Sequence, residues 1–141
     1  MSIHLETNVK LLNGKMKFEA RAESHPPIIT DYVPPFVNCE GYMPLQLFLI
    51  SLSTCLGGSI TLLLGRMEIK VEDLEIKATG QRRQEHPTCF EKINLAISLK
   101  SPNGTQADLE KAVALSQSKF CPVLAMIDKS IEIGFEYSVR E

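Results

Sequence analysis

The sequence predicts a mixed α+β chain, and three observations predict it. Apolar and polar residues alternate with period two near the start (Met16, Phe18, Ala20, Ala22), in the middle (Ile93, Leu95, Ile97, Leu99) and at the end (Ile131, Ile133, Phe135, Tyr137, Val139). Between the first two tracts, Gly41 to Gly65 carries no charge and no such alternation, which suits a long helix. Thr105, with Asp108 three residues on, reads as a capping box that opens another helix. The expected order is ββ(β)-α-ββ-αα-β, in a single domain over residues 1–141.

Taken in order, Ile3, Leu5, Val9 and Leu11 suggest a first strand, with Asn13-Gly14 as a hairpin turn before the Met16–Ala22 strand. The Pro-rich stretch HPPIITDYVPPFVNCEG reads as a loop, with Ile28 and Ile29 as a short strand inside it. The long helix runs from about Pro44 to Arg66, because Pro suits a first helical turn and Gly65 suits the exit. Ile69, Val71, Leu74, Ile76 and Ala78 then alternate, with a phase slip at Glu72-Asp73 that suggests a turn or bulge. A strand over FEKINLAISLK ends at the turn Ser101-Pro102-Asn103-Gly104. A helix carrying Leu109, Ala112 and Val113 on one face follows, and a short helix starts near Cys121-Pro122.

Composition narrows the function classes. The 141 residues are 44% hydrophobic and 23% charged, with a net charge of -2, as in ordinary soluble domains. There is no basic stripe, no Trp and only 6% aromatic residues, so no nucleic-acid partner is expected. The uncharged run is long enough to span a bilayer, but Pro44, Gln46, Ser51, Ser53, Thr54, Ser59 and Thr61 interrupt it. A helix buried on all sides is the expectation, not a membrane span. The start MSIHLETNVK has no apolar core of signal-peptide length, so a cytoplasmic location is expected.

There are four cysteines, Cys39, Cys55, Cys89 and Cys121, and no C-x-x-C pair, so no metal is expected and free thiols are favoured over structural disulfides. Cys55 shares a helix face with Phe48, Ser51, Leu52, Gly58, Ser59 and Leu62. Small residues there let another helix or a ligand approach closely, which accounts for Gly57-Gly58 beside a thiol. The run also has more apolar faces than one thin sheet covers, so an obligate homodimer is expected. Cys121, before Pro122, sits at a helix start, where free amides and the nearby Lys119 favour a thiolate. Against these readings, a cysteine taken singly is more often a small buried hydrophobe. Cys39 and Cys89 are read as incidental.

GYMPLQLFLISLSTC resembles the G-x-x-P-x-x-L-hydrophobic-S/A-x-x-x-C signature of the OsmC/Ohr family, and SKFCPVLAMI resembles its second cysteine motif. QRRQEHPTCFEKINLAI looks like the matching stretch in the branch of that family without an assigned function. The resemblance implies an α+β fold with antiparallel sheets wrapped around a long central helix in an intertwined homodimer. It implies a thiol-dependent peroxidase for organic hydroperoxides, with Cys55 attacking, Cys121 resolving, a thiol reductant closing the cycle, and no cofactor. The apolar neighbours Phe48, Leu52 and Leu62 suit an alkyl or lipid peroxide.

The chain departs from that pattern at one point. The peroxidase branches place a Glu directly after the motif proline, paired with an N-terminal Arg that activates the thiolate; here Leu45 and Gln46 follow Pro44, and Arg21 is the only arginine before the helix. Arg82 and Glu85, in RRQEHP with Arg83 and His86, are the candidate substitutes; a solvated strand end is the plainer reading of that cluster. A non-catalytic protein that binds or senses an apolar small molecule at the dimer interface is the alternative function.

Overall fold

The computed structural model describes residues 3–34 and 38–141. Of the Pro-rich stretch read as a loop, residues 35–37 lie outside the described residues. The chain divides into two compact units, residues 1–48 and 49–141.

In the first unit, β1 (Asn8–Leu11), β2 (Phe18–Arg21) and β3 (Ile28–Thr30) form an antiparallel sheet in that order. The Asn13-Gly14 turn forms as its residues dictate. Gly14 takes φ +69°, and the Asn13 Oδ1 accepts from the Lys15 and Lys17 amides at 3.1 and 3.3 Å. Ile3 and Leu5 lie outside the strand.

The loop after β3 is held by Asp31, which is 2% exposed. Its carboxylate accepts from the amides of Tyr32 (2.8 Å) and Glu40 (3.0 Å), and its own amide donates to the Tyr42 carbonyl at 3.0 Å. Gly41 is required there, because a Cβ would lie 2.4 Å from the Ile29 carbonyl oxygen. The Glu40 amide, then that of Tyr32, with Lys17 helping, holds the Asp31 carboxyl below its usual range against the opposing effect of burial. A lowered pKa stabilises the fold above the usual carboxylate range, and that contribution fades as pH falls through the lowered value. Asp31→Ala should therefore destabilise the protein at neutral pH and flatten its acid-unfolding profile. Acid titration followed by circular dichroism checks this; a variant with the parent's stability and profile would remove Asp31 from the account.

The long helix α1 spans Pro44–Arg66, with the bounds that the sequence predicts. Gln46 has a structural use: its side-chain oxygen accepts from the Met43 amide at 2.8 Å, half of a capping box. Within the second unit α1 is buried along one side only, at Leu52, Leu56, Ile60, Leu63 and Leu64. The expectation of burial on all sides is corrected here. Ile50 and Leu62 are 44% and 54% exposed, and Thr54, Gly58 and Thr61 share that open side. The helix is long and apolar enough to cross a bilayer, with a mean hydropathy of 2.0. Its hydroxyls add little polarity, since Ser53, Thr54 and Thr61 each donate to the carbonyl four residues back, at 2.8–2.9 Å.

β4 (Asp73–Arg82), β5 (Phe90–Lys100) and β6 (Glu132–Arg140) form the second sheet, in that order. Ile93, Leu95, Ile97 and Leu99 alternate into the core as their spacing requires. Ile69 and Val71 precede β4, so the phase slip at Glu72-Asp73 marks the start of the strand; the irregularity of register falls later, at Gln81/Arg82. Beside it, Gly80 lies under the Phe90 ring, where a Cβ would sit 2.3 Å from a ring carbon.

The expected antiparallel pairing holds for β1-β2-β3 and for β4-β5. It fails for β6, which runs parallel to β5 from Lys92↔Glu132 to Lys100↔Arg140. The reason lies in the connection. Residues 101–131 contain α2 (Gln106–Leu115), a π-helical turn (Ser116–Phe120) and α3 (Pro122–Ala125), a crossover that returns the chain to the end where β5 began. α2 opens with the predicted capping box: Thr105 accepts from the Asp108 amide at 3.2 Å, and the Asp108 carboxylate accepts from the Thr105 amide at 2.9 Å.

Candidate functional site

Cys121 is the N-cap of α3, as the Cys-Pro pair suggests, and it is 2% exposed. Its amide donates to the Ser116 carbonyl at 2.8 Å, five residues back, which closes the π-turn. Its sulfur accepts from the Leu124 amide at 3.5 Å. Cys55, half-buried on α1, lies close enough for its side chain to act on that thiol. Two cysteines separated by most of the second unit's sequence are thus brought near each other where Ser116, the first residue of the π-turn, meets Ser59 of α1.

The electrostatics at Cys121 differ from the sequence expectation. Burial pushes its thiol up, the Leu124 and Val123 amides pull it down, and Cys55 pushes it up again. Burial wins because α3 has only four residues, so its terminus offers few amides and a small dipole. Lys119 is exposed and is not among the groups acting on the sulfur. Cys121 is therefore a protonated thiol at neutral pH. The folded chain keeps that proton past the pH at which an unfolded chain loses it. Stability is then unaffected below the usual thiol range and falls as pH rises from that range toward the raised value. Unfolding by denaturant at neutral pH and at about pH 10 should show a smaller alkaline loss for Cys121→Ser than for the parent. Tyr137, also raised by burial and by Glu110, contributes to both proteins alike. Equal alkaline losses would contradict this picture of Cys121.

Arg82 and Glu85 lie on the β4–β5 hairpin, and the structure does not pair them with each other. The Arg82 guanidinium donates to Thr88, to its carbonyl at 2.7 Å and to its hydroxyl. Glu85 pairs with Arg83 instead: Nη2 lies 3.5 Å from the carboxylate, and Nε donates to the Glu85 carbonyl at 3.0 Å. Arg82, Arg83, Glu85 and Cys89 line a cleft of about 560 Å³, and none of them is among the groups acting on the Cys121 thiol. Arg21 is bound within β2 to Glu19 at 2.6 Å, and Leu45 is half-buried in the first turn of α1. Cys39 and Cys89 are exposed.

Sequence reasoning missed a second contact beside the thiols. Ser59, one turn after Cys55, lies with its Oγ 2.7 Å from the Oγ of Ser116, which is fully buried. The available signal was a serine four residues from each motif's critical position or near it, on an otherwise apolar face.

Comparison with known proteins adds the context of relatives. The family described as OsmC-like protein matches residues 37–136. Protein YhfA of Escherichia coli (strain K12) is 31% identical over 96 residues, covering 68% of this chain and 72% of that protein. A hypothetical protein from Aquifex aeolicus VF5 superposes with a TM-score of 0.85 at 27% identity, over 99% of this chain and 98% of that one. The OsmC-like protein of Mycoplasma pneumoniae superposes at 0.86 with 18% identity, over the whole of both chains. The organic hydroperoxide resistance protein OhrB of Bacillus subtilis superposes at 0.67 with 16% identity, over 96% of this chain and 98% of that one. The last two likenesses concern the fold alone.

Proposed function

Because the chain belongs to the OsmC-like family, we propose that it is a thiol-dependent peroxidase that reduces organic hydroperoxides through Cys55 and Cys121. The observation that carries the reading is the closeness of the two thiols, with the π-turn that leads to Cys121 held to α1 one turn from Cys55 by the Ser59–Ser116 contact. In the proposed cycle the Cys55 thiolate attacks the terminal peroxide oxygen, and the O–O bond breaks to release the alcohol. Cys55 is left as a sulfenic acid. The Cys121 sulfur then attacks the Cys55 sulfur; its proton leaves with the sulfenic hydroxyl as water, and a disulfide forms. A thiol reductant, best a dithiol, returns the pair to the reduced state. A thiol held protonated is unsuited to attack the peroxide, which needs a thiolate, and so falls to the resolving position, where its proton leaves with the sulfenic hydroxyl. The proposal includes a cytoplasmic location and a homodimer formed on the open side of α1. Ile50 and Leu62 would then be covered.

A second reading has its own observation. Leu45 stands where the peroxidase branches carry Glu, Arg21 is taken by Glu19, and no cation acts on the Cys121 thiol among the described residues. A binding or sensing protein for an apolar small molecule would need none of these. Consumption of cumene hydroperoxide under a dithiol and under a monothiol reductant separates the two. Faster turnover with the dithiol is expected, and no consumption above the reductant's background would replace the peroxidase with the binding protein.

A further inference from the structure

We propose that Ser59 and Ser116 form a latch that positions Cys121 against Cys55. The proposal rests on reading those cysteines as a disulfide-forming pair and names the residues that set their approach. The Ser116 hydroxyl donates to the Ala112 carbonyl at 2.8 Å, so its one proton is spent. At 2.7 Å, Ser59 is therefore the donor and Ser116 the acceptor. The same Ser116 accepts the Cys121 amide on its backbone carbonyl at 2.8 Å. Cys55 and Ser59 are four residues apart, one helical turn, and so share a face of α1. The contacts form a chain that ends beside its start: Cys55 to Ser59 along the helix, Ser59 to Ser116 by a hydroxyl pair, and Ser116 to Cys121 across the π-turn, with Cys55 near enough to act on the Cys121 thiol.

A hydroxyl pair of this kind is not needed to fill the core, since an alanine at either position leaves no large void. Its consequence is geometric. The π-turn opens a helix by one residue per turn and is less regular than the α-helix before it. Ser116, pinned from both sides, fixes where that turn delivers Cys121. Motion of the thiol relative to α1 is then restricted before any bond forms, which raises its effective concentration at Cys55. In the net reaction two thiols and one organic hydroperoxide give a disulfide, an alcohol and water. Two electrons pass from the sulfurs to the O–O bond, and the thiol protons end on the alcohol and the water. The disulfide closes the chain of contacts that contains the latch. By linkage each strengthens the other, so the Ser59 hydrogen bond is stronger in the oxidised protein than in the reduced one.

The test uses the full chain, as parent, Ser59→Ala and Ser59→Thr, equilibrated in graded mixtures of reduced and oxidised dithiothreitol. Acid-quenched samples are thiol-labelled and weighed by mass spectrometry, and both redox forms are melted. Ser59→Ala should lower the equilibrium constant for disulfide formation by about three- to ten-fold, the worth of one hydrogen bond. It should also lower the melting temperature of the oxidised form more than that of the reduced form. Ser59→Thr, which keeps the hydroxyl, should restore both. Equal constants in all three proteins, or equal loss of melting temperature in both redox forms, would reduce Ser59 to an ordinary packing residue and overturn the latch alone. A parent that forms no Cys55–Cys121 disulfide in any mixture overturns the latch together with the reading beneath it.

Discussion

Cys55→Ser is expected to abolish hydroperoxide reduction, lowering turnover by about a thousandfold or more, to the background of the free reductant. Serine keeps the size and the hydrogen-bonding capacity of the side chain but is not ionised near neutral pH, so the fold should survive while the nucleophile is lost. Cys121→Ser should behave differently. It leaves the attacking sulfur in place and removes the resolving thiol beside it. One equivalent of hydroperoxide should still be consumed, after which the sulfenic acid at Cys55 accumulates and can be trapped by dimedone. Turnover would then continue only as fast as an external thiol attacks that sulfenic acid directly. Mass spectrometry of the trapped adduct, with circular dichroism to confirm folding, separates the two roles. Adduct on Cys121 in Cys55→Ser, together with retained activity, would reverse the assignment.

Gly58→Leu is expected to split the dimer while leaving each chain folded. A Cβ at Gly58 meets nothing within 4 Å in the single chain, and Ile50 and Leu62 on the same open side of α1 are 44% and 54% exposed. A leucine there has room in the monomer, so folding stability should change little. In a dimer that buries this side, it must overpack a close helix contact, at a cost of about 1–3 kcal/mol or more for each copy. Gly57 is the control, because a Cβ there would touch Ile76 at 3.5 Å, an ordinary contact within the chain. Sedimentation at low micromolar concentration should give a dimer for the parent and for Gly57→Ala, and a monomer for Gly58→Leu. A parent that sediments as a monomer would leave the open side of α1 without its proposed cover.

How much of this was legible in the sequence depended on how local the cause was. The bounds of α1 follow from Pro44, Gly65 and the first charge at Arg66, all of them neighbours in sequence. The α2 capping box and the N-cap role of Cys121 are also short-range chemistry, and both were readable from three or four residues. The parallel pairing of β6 was not, because strand direction is set by the path of the whole crossover and not by the alternation of Ile133, Phe135 and Tyr137. The exposed side of α1 was misjudged for a similar reason. An uncharged helix looks buried in sequence whether its cover comes from its own chain or from another. At the site, the family motifs singled out Cys55 and Cys121, but the charge balance at Cys121 turned on burial, a tertiary quantity, and overrode the short-range help of the helix start. Glu85 does hold an arginine, though it is Arg83 and not Arg82, because Arg82 turns to Thr88 across the hairpin. The π-turn and the Ser59–Ser116 pair left almost no trace, since both depend on where two distant helices meet.

The central claim is that Cys55 and Cys121 of one chain are a redox pair, and a single peptide map tests it most directly. Fully reduced protein is treated with one molar equivalent of cumene hydroperoxide, blocked with an alkylating agent, digested without reductant and analysed by mass spectrometry. The account predicts a disulfide joining the Cys55 and Cys121 peptides of the same chain, with Cys39 and Cys89 alkylated. Cys55 found as sulfinic acid beside an alkylated Cys121, or a disulfide formed through Cys39 or Cys89 instead, would contradict it.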